Sequence, residues 1–104
     1  MNRQRFHLAI GVADIAASVR DYSARLGCEP EVVVEGEYAL WRTDVMNVSI
    51  RRSETTGMRH LGWEDDSAKA FNKEADSNGI VWEHFSAALQ REEISRLWPQ
   101  ALTR

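Results

Sequence analysis

Hydrophobic positions alternate with polar or small ones near the start of the chain and then change to a helical spacing. Between residues 6 and 12, Phe6 and three aliphatic side chains share one strand face, and His7 shares the other with two small residues. Asp14 is a suitable N-cap for the helical stretch that follows, and Gly27 is typical of its end. The pattern predicts a strand and a helix. We expect the Phe6 face to pack under helices and the His7 face to leave space above the sheet.

Three short strands are predicted after this helix. They cover Val32 to Val34, Tyr38 to Arg42 and Met46 to Arg51, with turn-forming residues such as Gly36 between them. The polar stretch that follows the third of these strands is typical of a loop. The first unit, about residues 1–52, therefore has the order strand, helix, strand, strand, strand.

The opening pattern occurs a second time further along the chain. His60 lies in a strand-like stretch, Asp66 or Ser67 can cap a helix that ends at Gly79, and residues 80–85 form another strand. We expect this second helix to bury its apolar positions, which are Ala68, Phe71 and Ala75.

The two copies form an internal repeat. The Asp14–Gly27 interval equals the Asp66–Gly79 interval, and regularity of this kind indicates two related units. The match stops after the second unit, about residues 58–86, where the apolar spacing predicts a C-terminal helix over about residues 87–98. A complete repeat would need two more strands there.

Composition narrows the class of protein. A chain of 104 residues is expected to form a single domain, and its net charge of −3 with scattered basic residues argues against a nucleic-acid surface. No stretch approaches the roughly 20 apolar residues needed to span a bilayer, and the first residues lack the apolar core of a signal peptide. Cys28 is the only cysteine, so no intramolecular disulfide can form and a buried thiol is favoured. We expect a cytoplasmic protein without nucleic-acid or membrane partners.

The repeat also carries candidate chemistry. It places His7 and His60 at matching points of two matching units, which is one way to build a metal site. The alternative is that both are pocket or core histidines bonded to neighbouring groups, a common role for this residue type.

The order of these elements resembles the vicinal oxygen chelate superfamily, the group of glyoxalase I, bleomycin-resistance proteins and extradiol dioxygenases. The resemblance covers roughly residues 5–85, and it is strongest in the opening strand and helix. The matching positions there are Phe6, His7, Leu8, Ile10, Val12, Asp14, Ile15, Ser18, Tyr22, Leu26 and Gly27.

The resemblance implies an α+β fold with two βαβββ-type modules whose strands form an open, cup-shaped mixed sheet with helices on the outside. The second module is truncated and replaced by the C-terminal helix. In the family, the first and last strands of the modules supply metal ligands. His7 and His60 match two of these positions, whereas Ser49 stands where the family often has a glutamate. The last strand of the second module, which would offer another carboxylate, is expected to be missing.

The third metal donor stays open at this point. Catalytic sites usually hold a divalent ion through three protein ligands. Two imidazoles alone would bind such an ion weakly, so a third donor is needed. Glu64 is about 13 Å along the strand from His60, too far to share its shell. Glu83, His84 and a residue of a second subunit are the alternatives. No catalytic residue can be assigned.

The remaining site candidates are expected to line a pocket in the cup. Trp63 is out of phase with His60 and should pack under a helix instead. The expected lining residues are Ser49, Arg51, Glu64, Trp41 and Trp82.

Three functions follow from these expectations. The first is a divalent-metal-dependent lyase or dioxygenase that uses zinc, nickel, iron or manganese. The second is a metal-free small-molecule binder of the resistance type, and the third is a degenerate module that acts only through interactions. The truncated second module would leave an unpaired strand edge, so we expect a homodimer as well as a small-molecule ligand.

Overall fold

A single mixed sheet of seven strands forms the centre of the molecule. The computed structural model describes residues 3–102 and confirms an α+β fold with two helices among these residues. The strands lie in the order β2-β3-β4-β1-β5-β7-β6. In chain order the elements are β1 Gln4–Val12, α1 Ile15–Leu26, β2 Val32–Val34, β3 Tyr38–Arg42, β4 Met46–Arg52, β5 Gly57–Asp65, β6 Asn72–Ala75, β7 Val81–Phe85, α2 Ala87–Leu97 and a 3-10 turn Pro99–Leu102.

The two halves of the sheet are paired in the same way. Strand β1 pairs with β4 in parallel, β5 pairs with β7 in parallel, and β1 and β5 join the halves as antiparallel neighbours. Across that central pair, His7 lies opposite Gly62 and Ala9 lies opposite His60. Each histidine therefore lies two residues before the residue that faces the other histidine. His7 and His60 thus occupy equivalent positions on β1 and β5.

This pairing gives Ser49 a counterpart in the second half of the sheet. Ser49 of β4 lies opposite Ala9, and Glu83 of β7 lies opposite Gly62. Glu83 therefore has the position in β7 that Ser49 has in β4. The expected loss of the last carboxylate-bearing strand is wrong, because β7 runs beside β5 as β4 runs beside β1.

The helix predicted before Gly79 is absent, and this is where the second half is shortened. Residues 72–75 form strand β6, and a tight turn joins them to β7, in which Asp76 Oδ1 accepts the amides of Asn78 and Ile80. Phe71 stacks on Phe85 with ring centroids 5.1 Å apart instead of facing a helix interface. The left-handed φ of 79° at Gly79 completes a hairpin turn. A glycine after a polar stretch is compatible with both a helix end and a hairpin turn. The sequence pattern predicted the helix end, whereas the structure has the hairpin turn.

The first helix and its packing follow the sequence pattern. Asp14 Oδ1 accepts the amide of Ala17 at the start of α1, and Gly27 ends it with φ 75°. The helix covers one face of the first half of the sheet. The buried cluster on that side consists of Val12, Ile15, Ala39, Trp41, Val48 and Ile50.

Helix α2 covers the opposite face, which carries His7. Ser86 caps it by accepting the amide of Leu89, and Ile94 packs against the sheet. The expectation of helices only on the outside is therefore wrong, and the space expected above the His7 face is reduced to a cavity between the sheet and α2. The C-terminal helix itself is confirmed. Its cluster on this face consists of Val32, Val34, Tyr38, Leu40 and Ile94.

Trp41 and Trp63 lie in contrasting environments. Trp41 is fully buried under α1, and its indole N–H donates to Ser23 Oγ over 3.2 Å. The helix expected to cover Trp63 is not formed, so this side chain packs edge-on against Phe6 at 5.4 Å and stays 38% exposed.

These environments predict different stability losses on truncation. Trp41→Ala should lower the free energy of unfolding by about 3–5 kcal/mol, because it leaves a large core cavity. Trp63→Ala should cost about 1 kcal/mol, the typical value of an aromatic pair. Urea unfolding followed by circular dichroism measures both losses. Equal losses would contradict the placement of Trp41 in the core.

Candidate metal centre

One row of residues runs across six strands and passes through the candidate site. Consecutive partners in the register are Arg42 and Asn47, Asn47 and His7, His7 and Gly62, Gly62 and Glu83, and Glu83 and Lys73. We call this set the central row. Because cross-strand partners share a face of the sheet, the whole row faces α2.

Three side chains converge at the centre of this face. His7 Nε2 lies 3.1 Å from His60 Nε2 and 3.8 Å from Glu83 Oε1, and the His60 nitrogen lies 2.9 Å from the same oxygen. His60 stands two positions before Gly62 on β5. Gly62 has no side chain between His7 and Glu83, and a Cβ there would collide with the Glu83 carbonyl group. The close approach of the three polar atoms therefore depends on this glycine.

Asn47 fixes the orientation of the His7 ring through hydrogen bonds on the side away from His60 and Glu83. Its Nδ1 lies 2.9 Å from Asn47 Oδ1 and 3.1 Å from the Asn47 carbonyl oxygen. Both partners are acceptors, so Nδ1 carries the proton and donates it. Nε2 is then left with a lone pair that points towards His60 and Glu83, as a metal ligand requires.

The amide of Asn47 is itself fixed by its neighbours. Asn47 Nδ2 donates over 2.8 Å to Glu64 Oε1 and over 2.8 Å to Gln90 Oε1. A carboxylate can only accept, so the nitrogen of the amide must face Glu64 and the oxygen must face His7. The tautomer of His7 follows from this buried chain of contacts.

Glu64 lies at the far end of the chain from the candidate metal site. Arg42 donates to both of its oxygens, over 2.8 and 2.7 Å, and Arg5 donates over 2.9 Å. Burial alone would raise the pKa of Glu64, but the hydrogen bonds from Arg42 and Asn47 and the charges of both arginines lower it to about 2. Glu64 is buried behind Asn47 and does not line the cavity, so the pocket-lining expectation is wrong for this residue.

The charge states of the converging groups suit a cation. Burial lowers the pKa of His7, an effect that the hydrogen bond to Asn47 only partly opposes, so the neutral ring is favoured. Burial would raise the pKa of Glu83, but the hydrogen bond with His60 and the nearby charges lower it. A neutral imidazole and a carboxylate are the forms that coordinate metals.

The spacing of the three donor atoms fits a metal ion. Points separated by 3.1, 3.8 and 2.9 Å lie on a circle of about 1.9 Å radius, so an ion slightly out of their plane is about 2.1 Å from all three. Two imidazoles and a carboxylate suit zinc, iron, nickel or manganese. His7, His60 and Glu83 are the group of potential ligands that the described residues bring together in this way.

A cavity of about 140 Å³ opens onto these groups. Ser49 and Arg51, two of the expected lining residues, do line it. Tyr38 is buried beside them and bonds to Ser49, and burial raises the pKa of its hydroxyl well above the usual range. Tyr38 is therefore protonated at neutral pH.

The other candidates lie elsewhere. Trp41 is in the core under α1. Trp82 faces away from His7 and donates its indole N–H to Asp76, in a shallow groove that it shares with Trp63. His84, an alternative third donor, lies on the same outer face and bonds to Asp65 over 2.9 Å. Of the donors left open by the sequence, Glu83 is the one that reaches both His7 and His60.

Asn47 and Gln90 were not recognised from sequence. Asn47 lies on the same face of its strand as Ser49 and Arg51. This alternation was the feature of the sequence that could have indicated a role for Asn47 beside His7. Its contact with His7 depends on the parallel register of β1 and β4, which local patterns do not determine.

No protein-family model matches this chain, and no curated protein matches it either. The resemblance to the vicinal oxygen chelate superfamily therefore stays a prediction. Within residues 3–102, no helix has the length and apolar character needed to cross a lipid bilayer.

The ion pairs of Glu64 predict an acid-dependent stability. Its folded-state pKa of about 2 lies below the ordinary value of 4.5, so the carboxylate stabilises the fold above pH 4.5 and this contribution is lost as the pH falls towards 2. Glu64→Gln should lower the free energy of unfolding at pH 7 by roughly 3 kcal/mol. It should also flatten the decline in stability between these pH values.

Glu37→Gln provides the matched control. Glu37 pairs with Arg52 on the surface, so its loss should cost less than about 1 kcal/mol. Urea unfolding at several pH values measures both variants. A Glu64 variant with the same stability and acid dependence as the Glu37 variant would contradict the assignment.

Proposed function

We propose that this protein is a small metal-dependent enzyme of the glyoxalase or dioxygenase type, in which His7, His60 and Glu83 hold one divalent ion. The observation that carries the proposal is the convergence of their Nε2, Nε2 and Oε1 atoms within 3.8 Å. The Asn47 contact adds support, because it leaves the His7 Nε2 lone pair directed at the other two donors.

The pairing of the sheet supports the modular part of the proposal. The β1–β4 and β5–β7 pairs are equivalent, and they meet across the antiparallel β1–β5 pair. Two modules forming one open cup would have this arrangement, with the second module lacking its helix and one strand. The donors would then come from the first strands of both modules and from the last strand of the second.

The residues around the site have distinct roles in this proposal. Three protein ligands leave coordination positions for a substrate oxygen, and a bound divalent ion supplies Lewis-acid polarisation there. Tyr38 and Ser49 line the cavity with hydroxyl groups, and the protonated Tyr38 can donate a hydrogen bond to a bound molecule. Gln90 and Ile94 of α2 line the cavity on the side opposite the sheet.

A metal-free small-molecule binder is the second candidate. His60 and Glu83 lie at ion-pair distance, and His7 and His60 lie at hydrogen-bond distance. Among the described residues, no buried side-chain nitrogen or oxygen lacks a partner. The three groups can therefore satisfy one another without an ion, as a resistance-type binding protein would require.

Metal titration separates the two candidates. Protein purified without a histidine tag and stripped with a chelator should bind about one Zn²⁺, Ni²⁺, Fe²⁺ or Mn²⁺ per chain. His7→Ala and Glu83→Gln should each weaken binding by at least about 100-fold, because each removes one of three ligands. Isothermal titration calorimetry and elemental analysis measure the affinity and the stoichiometry.

His84→Ala is the matched control for this titration. His84 is next to Glu83 in sequence but bonds to Asp65 on the opposite face, so metal affinity should not change. Substoichiometric metal that does not increase on addition of any of the four ions would exclude the metalloenzyme. An equal loss in the His84 and His7 variants would contradict the proposed ligand set.

We also propose that two copies of the chain associate through the second half of the sheet. Residues 72–75 form an edge strand that is exposed throughout, and exposed edges favour pairing with another chain. On the neighbouring outer face, Phe6, Trp63 and Trp82 form an aromatic cluster that is only partly buried. Both features lie where the second module lacks its helix and one strand.

Sedimentation velocity tests this association. At tens of micromolar protein the native chain should sediment as a dimer, and Trp63→Glu should weaken association by at least about tenfold by placing a charge in an apolar contact. Glu92→Gln, at an exposed position of α2, changes a charge away from β6 and from the aromatic cluster and serves as the control. A native chain that is monomeric under these conditions would contradict the homodimer.

A further inference from the structure

The cavity above His7 is lined by more positive than negative side chains. Arg51, Arg59 and Lys73 contribute cationic groups, and Glu83 and Glu93 contribute carboxylates. Both carboxylates already have partners. Glu83 bonds to His60 over 2.9 Å, and Glu93 accepts from Arg96 over 2.7 Å.

The two arginines, in contrast, have no acidic partner among residues 3–102. Every other arginine close to the central row is paired, since Arg5 and Arg42 both bind Glu64. Close to the central row, the guanidinium groups without an acidic partner are therefore those that line the cavity. This excess of positive charge exists before any metal is added.

Arg59 faces the cavity because of a local irregularity in β5. The pairing of β1 with β5 shifts between Ala9, opposite His60, and Ile10, opposite Met58. Arg59 is the extra residue of this β-bulge. Successive residues of a regular strand face opposite sides, but Arg59 and His60 both line the cavity. Bulges redirect side chains in this way and are frequent beside binding sites.

Arg51 is held in place by an aromatic stack. Its guanidinium carbon lies 5.4 Å from the centre of the Trp98 ring, and Trp98 packs against Tyr38 with centroids 4.8 Å apart. Stacking uses the flat face of the guanidinium and leaves its N–H edge available for hydrogen bonds. Arg51 is therefore positioned without its donors being consumed.

The size of the cavity limits the ligand. Its volume of about 140 Å³ is below the usual 300–1,000 Å³ of ligand pockets. This volume equals that of about four or five water molecules in the liquid, at about 30 Å³ each. A molecule of about five to eight non-hydrogen atoms fits this space.

We propose that the cavity binds a short organic carboxylate, whose carboxylate group lies between Arg51 and Arg59 and whose other end faces His7, His60 and Glu83. The planar N–H edge of an arginine matches a carboxylate in shape and charge. The assignment of this ligand as a substrate rests on the proposed function, whereas its recognition by the two arginines does not. The anion site belongs to the chain with or without a metal ion.

The test uses pyruvate as the probe on chelator-treated full-length protein, with binding followed by nuclear magnetic resonance titration. Pyruvate should bind more tightly than neutral methyl pyruvate, and its binding should weaken when salt rises from about 50 to about 300 mM. Arg51→Gln and Arg59→Gln should each weaken it by at least about tenfold. Arg51→Lys, which keeps the charge, should regain part of the affinity.

Arg20→Gln is the matched control, because Arg20 is an exposed arginine on α1, away from this cavity. It should leave pyruvate binding unchanged. Circular dichroism confirms that each variant is folded, and zinc titration of the same variants should give metal affinities within about twofold of the native protein.

The outcomes separate this inference from the proposed function. Pyruvate affinity that is the same in the native protein and in both cavity arginine variants would overturn the inference, and so would equal binding of methyl pyruvate. Tighter binding of inorganic phosphate than of pyruvate would overturn the carboxylate class. Failure to bind metal, with pyruvate binding that depends on both arginines, would support the anion site and exclude the metalloenzyme.

Discussion

The register of the central row is the constraint on which the site depends. Each member of this row faces α2 only because five neighbouring strand pairs keep their alignment across the sheet from β3 to β6. A slip of one residue in any pair would turn the side chains of the displaced strand to the other face. The site is thus fixed by backbone hydrogen bonds before any side chain contributes, and Gly62 supplies the gap across which His7 and Glu83 meet.

The buried chain from Arg42 through Glu64 and Asn47 to His7 adds orientation to this alignment. Burying a charged carboxylate is costly unless it is paired and fully hydrogen-bonded, and Glu64 meets this requirement with two arginines and an amide. Such a network stabilises only when every member is satisfied. Its function in this protein is to determine which atom of Asn47 faces His7, and hence which nitrogen of His7 faces the cavity.

The sequence predicted those features that depend on neighbours along the chain. The alternation around His7, the Asp14 cap and the Gly27 end are local signals, and the structure agrees with each of them. The predicted helix before Gly79 failed because its few apolar residues and terminal glycine also suit a strand and a hairpin turn. The pairing of Asn47 with His7 could not be predicted, because register is set by contacts between strands distant in sequence. Glu83 was one of several possible donors until β7 was placed beside β5.

The donor atoms of His7, His60 and Glu83 can either contact one another or bind a metal ion. Without an ion, His60 and Glu83 form a short contact that lowers the pKa of the carboxyl group. A divalent ion would have to replace this contact, because coordination uses the same donor atoms of His7, His60 and Glu83. The anion site does not use these atoms, since Arg51 and Arg59 supply its positive charge. Metal and anion would therefore bind different side chains of one cavity, and the charge of the two arginines is present with or without an ion.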